Sequence, residues 1–152
     1  VVVLDRLTKT VIENSVSAWD TYVVIPNFFN IIHTQNRGAA FGLLAEASAE
    51  WRGFVLVGLS LVVMVFVGAL LWQSARPGGG SVSLRLGLAF MLGGAVGNLW
   101  DRLLQGSVTD FLQFHVGAFE WPAFNLADTA ISTGAGLLLL DLLRHRRQPV
   151  RA

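Results

Sequence analysis

Residues 54–72, FVLVGLSLVVMVFVGALLW, form an apolar run that contains no charged side chain. A helix needs about 20 such residues to cross a bilayer, and in lipid its backbone polar groups must be satisfied within the segment. The composition of the whole chain also suits a lipid environment, because 53% of its 152 residues are hydrophobic and only 14% are charged. Soluble domains carry about 25% charged residues. We therefore predict a mainly α-helical integral membrane protein.

Three further segments complete a predicted bundle of four transmembrane helices. They span residues 1–15, 84–104 and 123–143. The last two are apolar runs that include a few polar and acidic side chains. The first begins inside an apolar run, so we expect its helix to be cut short. The whole chain, residues 1–152, is predicted to form a single domain.

The positions of Lys and Arg predict the orientation in the membrane. Arg76 and Arg85 flank the glycine-rich turn after the second helix, and four arginines follow residue 143. Segment 106–121 has no Lys or Arg, and segment 14–50 has only Arg37. Because basic residues favour the cytoplasmic side, both termini are predicted to be cytoplasmic and these two segments to lie outside. The net charge of +1 gives no reason to expect a nucleic-acid partner.

The two outer segments carry strand patterns. Residues 22–34 and 113–121 are rich in β-branched and aromatic side chains interrupted by turn residues, which predicts short strands. Residues 43–51 have the spacing of a short amphipathic helix that lies on the membrane surface. We expect a small extracytoplasmic β-sheet, or cradle, and a flap over residues 20–50 and 110–121.

Polar residues inside the predicted spans point to a functional site, because ionisable groups are costly in a bilayer. Asn125 and Asp128 share one face of the last segment, and the preceding segment contains Asn98 and Asp101. Asp110 follows the outer end of that preceding segment. If these two helices are antiparallel neighbours, Asp110 and Asp128 both lie near the outer face of the membrane.

Two adjacent carboxylates cannot both ionise freely, so they share a proton. One then serves as the base for an attacking water while its protonated partner polarises a scissile carbonyl. A second interpretation makes Asp101, Asp110 and Asp128 a proton relay in a small transporter or channel. A third makes Asn98 and Asn125 hydrogen bonds between helices, and Asp101 and its neighbour Arg102 a structural pair.

Four segments, in chain order, resemble motifs of lipoprotein signal peptidase, also called signal peptidase II. They are LDRLTK (4–9), QNRGAAFGLL (35–44), GGAVGNLWDRLLQGSVTDFL (93–112) and PAFNLADTAI (122–131). The resemblance implies an aspartic endopeptidase of the bacterial inner membrane. Its reaction removes the signal peptide from a prolipoprotein, just before a cysteine that carries diacylglyceryl. The resemblance implies neither a cofactor nor a metal.

The resemblance also assigns roles to residues of this chain. The catalytic pair falls on Asp110 and Asp128. The other motif positions, which we expect to bind substrate or support the pair, are Asp5, Lys9, Asn36, Gly38, Asn98, Asp101, Arg102, Asn125 and Ala127. The expected partners are diacylglyceryl-modified prolipoproteins and membrane lipids, and the enzyme is expected to be monomeric.

Overall fold

The computed structural model describes residues 1–38 and 48–146. Within these residues the chain forms four helices and four strands. In chain order they are α1 (Val2–Ser15), β1 (Thr21–Ile25), β2 (Phe29–Asn36), α2 (Ala49–Ser74), α3 (Val82–Gln105), β3 (Val108–Val116), β4 (Phe119–Glu120) and α4 (Leu126–Arg146). The predicted mainly helical architecture with a small sheet is confirmed.

Three of the described helices are long and apolar enough to cross a membrane, over Trp51–Ser74, Val82–Gln105 and Leu126–Arg144. They correspond to three of the four predicted spans. The helix α1 has 14 residues, which at about 1.5 Å per residue is about 21 Å long. The hydrocarbon core is about 30 Å thick, so α1 as described does not reach spanning length.

The start of α2 differs from the prediction. Its first residues, Ala49 to Trp51, were predicted to end a separate surface helix, but they form the first turn of α2. Ser48 caps this turn, because its side chain accepts a hydrogen bond from the backbone N–H of Trp51 at 3.4 Å. Residues 39–47, which belong to the segment predicted to form the cradle and flap and include residues 43–47 of the predicted surface helix, lie outside the described part of the chain.

The strands form one antiparallel sheet in the order β1-β2-β3-β4. In its central pair Thr34 is opposite Asp110 and Phe29 is opposite Phe114. Gly117, with a φ of 61°, makes the turn between β3 and β4. The predicted strands are confirmed, but β3 begins at Val108, before the predicted start at residue 113. Asp110 therefore lies within the sheet.

The start of α4 also differs from the prediction, because the chain remains extended up to Asn125. Phe124 forms an isolated bridge with Leu112 of β3, with N–O distances of 3.0 and 2.8 Å. This bridge uses the backbone groups of Phe124 for the sheet. The helix accordingly begins at Leu126 rather than at residue 123, and its first turn lies beside Asp110 of β3.

The helices α3 and α4 pack closely through glycines. A Cβ atom on Gly94 would collide with the backbone carbonyl of Ala127, and one on Gly87 would lie 2.9 Å from the carbonyl oxygen of Gly134. Small residues at such contacts let the backbones of membrane helices approach each other. The helix α3 then ends at Gly106, whose left-handed conformation (φ 68°) turns the chain directly into β3.

We predict that Gly94→Ala destabilises the protein although alanine favours helices. The added methyl group must displace the backbone of α4, which should lower the free energy of unfolding by about 1–3 kcal/mol. Gly68→Ala is the matched control, because a Cβ atom there meets nothing within 4 Å. This control should be neutral or up to about 1 kcal/mol more stable. Thermal unfolding in detergent measures both, and equal effects of the two variants would contradict the close packing.

Candidate active site

Asp110 and Asp128 line the same cavity, which has a volume of about 710 Å³. Asp110 comes from β3 and is only 2% exposed, whereas Asp128 lies in the first turn of α4. The cavity is bounded by α2, α3, α4, the adjoining ends of β2 and β3, and the segment that precedes α4. Its lining includes Leu59, Ser60, Val63, Asn98, Arg102, Trp121 and Ile131. The two carboxylates thus share a cavity whose lining is mostly apolar.

Asn125 connects the two carboxylates and is itself completely buried. Its Nδ2 donates a hydrogen bond to Oδ1 of Asp110 at 2.7 Å. Its Oδ1 accepts from the backbone N–H of Asp128 at 3.0 Å, and its own backbone N–H donates to Oδ2 of Asp128 at 3.3 Å. This reciprocal pair is a capping box, in which the cap residue and the third helical residue satisfy each other's backbone. Asn125 is therefore the N-cap of α4, not a residue of the helix face as predicted.

Asn98 of α3 holds the second carboxylate. Its Nδ2 donates to Oδ1 of Asp128 at 2.7 Å. Its Oδ1 accepts from Nζ of Lys9 at 3.1 Å and from Nδ2 of Asn125 at 3.2 Å. A lysine ammonium only donates hydrogen bonds. The oxygen of Asn98 must therefore face Lys9, and its amino group is left to face Asp128.

Lys9 belongs to a buried ion cluster next to the cavity. Its Nζ lies 2.8 Å from Oδ2 of Asp5 and 2.7 Å from Oδ2 of Asp101, and all three side chains are at most 2% exposed. Asp5 also accepts a hydrogen bond from the backbone N–H of Ala127 at 2.9 Å. The first turn of α4 thus receives one cap from Asn125 and another from α1, and the ion cluster fixes its position.

Asn36 holds Asp110 from the sheet side. Its Nδ2 donates to Oδ2 of Asp110 at 3.0 Å, and its Oδ1 accepts from the backbone N–H of Gly38 at 3.1 Å. As with Asn98, the second partner determines which end of the amide faces the carboxylate. All four carboxylate oxygens of Asp110 and Asp128 therefore accept hydrogen bonds from amide N–H groups.

Arg102 brings a positive charge to the cavity wall. One guanidinium nitrogen lies 3.5 Å from the backbone oxygen of Asn98. Its buried Nε has no hydrogen-bond partner among the residues that the structure describes. Arg102 is close enough to Asp128 and Asp110 to interact with both charges. Arg102 thus places a cationic side chain on the cavity wall near the carboxylate pair.

The surroundings of Asp110 alter its acidity. Burial raises the pKa of Asp110 from 3.8 to about 6, and the nearby charge of Asp128 acts in the same direction. The hydrogen bonds from Asn36 and Asn125 lower this pKa, but they do not offset the loss of hydration. Asp110 can therefore gain and lose a proton near neutral pH, as an acid–base catalyst must.

The structure brings the predicted site residues into two adjoining groups. The group around the carboxylate pair contains Asp110, Asp128, Asn36, Gly38, Asn98, Arg102 and Asn125, and the ion cluster contains Asp5, Lys9, Asp101 and Ala127. Within the described residues, no three His, Cys, Asp or Glu side chains converge as metal ligands.

Sequence reasoning missed the residues that extend the ion cluster beyond Asp101. Arg6 lies 3.2 Å from Asp101 and 3.5 Å from Glu13, and Glu13 accepts a hydrogen bond from Thr109 at 2.8 Å. The only signal in the sequence was the shared face of Asp5, Lys9 and Glu13 on α1. Nothing in the sequence linked Glu13 to Thr109, because 96 residues separate them and only the fold brings them together.

Comparisons with known proteins identify relatives along nearly the whole chain. The family model for Signal peptidase (SPase) II matches residues 1–144. The lipoprotein signal peptidase of Solibacter usitatus is 48% identical over 145 residues, which cover 95% of this chain and 87% of the relative. That of Maridesulfovibrio salexigens is 40% identical over 144 residues, covering 95% and 90% of the two chains.

Solved structures show the same fold. A structure described as a bacterial membrane enzyme solved by the in meso method at 2.3 Å resolution superposes with a TM-score of 0.83 and 26% identity, covering 99% of this chain and 87% of that one. A second bacterial membrane enzyme, at 1.9 Å resolution, gives a TM-score of 0.78 and 28% identity, covering 94% and 87%. Together with the three apolar helices, these matches show that this integral membrane chain belongs to the signal peptidase II family of lipoprotein signal peptidases.

Proposed function

We propose that this peptidase is an aspartic endopeptidase in which Asp110 and Asp128 form the catalytic pair. The observation that carries this proposal is the shared cavity, in which Asn125 links the two carboxylates and Asn36 and Asn98 orient their outer oxygens. Such an arrangement holds two acids side by side in a partly dry site. Two acids in this setting share one proton.

The reaction follows from that shared proton. The ionised carboxylate removes a proton from a water molecule, and the resulting hydroxide attacks the scissile carbonyl carbon. The protonated carboxyl donates its proton to the carbonyl oxygen, which gives a neutral tetrahedral diol. On collapse the leaving amine takes up a proton from one carboxyl and the diol returns one to the other, so the pair regains its single proton.

The cavity suits a substrate that is partly embedded in lipid. Leu59 and Val63 of α2 line one part of the cavity, and the two carboxylates and the side chain of Arg102 line another. We infer that a signal peptide lies along the apolar side and that Arg102 binds a carbonyl or ester oxygen of the substrate. Cleavage falls just before the diacylglyceryl-modified cysteine, whose lipid chains hold it at the membrane surface.

We further propose that α1 is the fourth membrane helix of a single, monomeric domain. Its Lys9 side packs on α3 and α4, while Val3, Leu4, Leu7 and Val11 remain exposed on the outside, where they suit contact with lipid. The distribution of Lys and Arg then predicts that both termini are cytoplasmic. The sheet and the catalytic pair lie at the outer face of the bacterial inner membrane.

The distribution of charges favours a peptidase over a proton relay. A relay needs ionisable groups at successive depths in the membrane. Between Asp128 and Asp141, α4 has no Asp, Glu, Lys, Arg or His, and α3 has none between Arg85 and Asp101. The acids near Asp110 are therefore gathered at one end of the bundle, as a surface site requires.

The catalytic pair is tested by replacing each member with its amide. We expect Asp110→Asn and Asp128→Asn each to lower the cleavage rate by about a thousand-fold or more, because an amide neither accepts nor shares the catalytic proton. The measurement is a gel-shift assay on a diacylglyceryl prolipoprotein, with the unmodified prolipoprotein as the substrate control.

Asp141→Asn is the matched enzyme control, since Asp141 accepts a hydrogen bond from Ser81 at the other end of α4. It should keep near-normal turnover. If either of the two catalytic-pair variants cleaves at a rate similar to this control, the aspartic mechanism is wrong.

The acidity of Asp110 makes a separate prediction about stability. Because its pKa is raised to about 6 in the folded protein, its contribution to stability is complete below pH 3.8 and is lost as the pH rises through 6. A shift of this size corresponds to about 3 kcal/mol. Relative to the wild type, Asp110→Asn should therefore gain stability between pH 4 and pH 7.5.

Thermal unfolding at these two pH values measures the effect, with the exposed Asp20→Asn as the control variant. The stability of Asp110→Asn relative to the wild type should rise by about 2 kcal/mol from the lower to the higher pH. A difference between Asp110→Asn and the wild type that stays constant from low to high pH would show that Asp110 does not titrate in this range.

The orientation is testable because the chain has no cysteine of its own. We expect Ala118→Cys, in the exposed turn between β3 and β4, to react with a membrane-impermeant maleimide added from outside. Ala75→Cys, at the exposed end of α2, should react only after the membrane is opened. The reverse pattern would place the carboxylate pair on the cytoplasmic side and contradict the proposed substrate.

A further inference from the structure

A chain of four polar side chains joins α1 to the strand that carries Asp110. Ser107 Oγ donates to Oε1 of Gln35 at 2.8 Å, and Nε2 of Gln35 donates to Oγ1 of Thr109 at 3.0 Å. Thr109 Oγ1 in turn donates to Oε1 of Glu13 at 2.8 Å. None of these four residues belongs to the catalytic pair or lines its cavity.

Glu13 gives this chain a fixed direction. An ionised carboxylate only accepts hydrogen bonds, so the hydroxyl of Thr109 must donate to it. The remaining lone pairs of that hydroxyl then accept from Gln35. Glu13 is itself held by Gln105, whose Nε2 lies at 3.3 Å, and by Arg6 at 3.5 Å. The acceptor at the end of the chain is therefore anchored to both α1 and α3.

Thr109 is the member that reaches the site. It is completely buried and immediately precedes Asp110 in β3. Successive side chains of a strand point to opposite faces. Accordingly Thr109 shares the face of its register partner Gln35, while Asp110 faces Asn36 on the other side.

The backbone of Thr109 also touches the bridge between the two carboxylates. Its carbonyl oxygen accepts from Nδ2 of Asn125 at 3.3 Å, the same nitrogen that donates to Asp110 at 2.7 Å. Anchoring Thr109 therefore affects both the strand that carries Asp110 and the side chain of Asn125. It fixes the position of the Asp110 backbone and the direction of the amide that holds its carboxylate.

We propose that Glu13 and Thr109 form a clamp that positions Asp110 against Asp128. Neither residue takes part in proton transfer or contacts the reacting atoms. The hydroxyl of Thr109 is the essential feature, since a valine would fill the same volume without anchoring the strand to α1. The clamp rests on the proposed catalytic role of Asp110.

The test compares Thr109→Val with Thr109→Ser, which keeps the hydroxyl. We expect Thr109→Val to lower kcat by about ten-fold or more, because it removes a buried hydrogen bond to a charged group. KM should stay within about two-fold of the wild type, because substrate contacts are unchanged. Thr109→Ser should restore most of kcat. Thr10→Val is the matched control, since its hydroxyl bonds only within α1, to the backbone of Arg6.

Variants of Glu13, whose side chain is 20% exposed, test the same contact from its other end in case Thr109→Val fails to fold. Glu13→Met removes the acceptor and should also lower kcat, whereas Glu13→Gln keeps an acceptor oxygen and should retain most of the activity. Glu13→Met combined with Thr109→Val should be no more than about two-fold slower than the slower single variant, because both changes break the same contact.

Several results would overturn the clamp. They are a Thr109→Val enzyme with normal kcat, a Thr109→Ser enzyme as slow as Thr109→Val, or losses in the double variant that simply multiply. A lower unfolding temperature with unchanged kcat per folded enzyme would reduce Thr109 to a structural residue. If Asp110→Asn is inactive while Thr109→Val is normal, only the clamp fails. If Asp110→Asn is active, the proposed function fails first.

Discussion

The buried ammonium of Lys9 is the interaction on which the rest of the site depends. A charge that is fully removed from water is stable only with close partners, and here these are the carboxylates of Asp5 and Asp101 and the amide oxygen of Asn98. Asp101 and Asn98 belong to α3, whereas Asp5 belongs to α1 and accepts a hydrogen bond from the backbone of Ala127 in α4. Satisfying one charge thus fixes α1 against α3 and, through Asp5, against the start of α4.

Two asparagine side chains connect Lys9 to the carboxylate pair, and the hydrogen-bond partners of each allow only one orientation of its amide group. Lys9 occupies the oxygen of Asn98, which leaves the nitrogen of Asn98 for Asp128. Asn125 caps α4 and reaches Asp110 with the same side chain. Asparagine suits these positions because it carries both a donor and an acceptor on a short, stiff side chain. In this network neutral amide groups, rather than a charged side chain, connect the two carboxylates.

Much of this organisation follows from local signals in the sequence. Three of the four predicted membrane helices are long and apolar enough to span a bilayer, and the β-branched and aromatic segments predicted the strands. Both signals are local, because hydrophobic period and turn residues act over short distances. The boundaries that differed are those set by partners distant in sequence. Pairing of Phe124 with Leu112 delays the start of α4 to Leu126, and this makes Asn125 a cap rather than a helix residue.

The sequence by itself determined that the chain belongs in a membrane, which segments are helical or extended, and which polar residues stand out against an apolar background. Only the tertiary structure decided how those residues meet. Glycines let α3 and α4 approach closely, the sheet delivers Asp110 to the first turn of α4, and α1 contributes Lys9 and Glu13 from about a hundred residues away. The physical reason is that hydrogen-bond partners are chosen by distance and direction in space, and no local pattern encodes either.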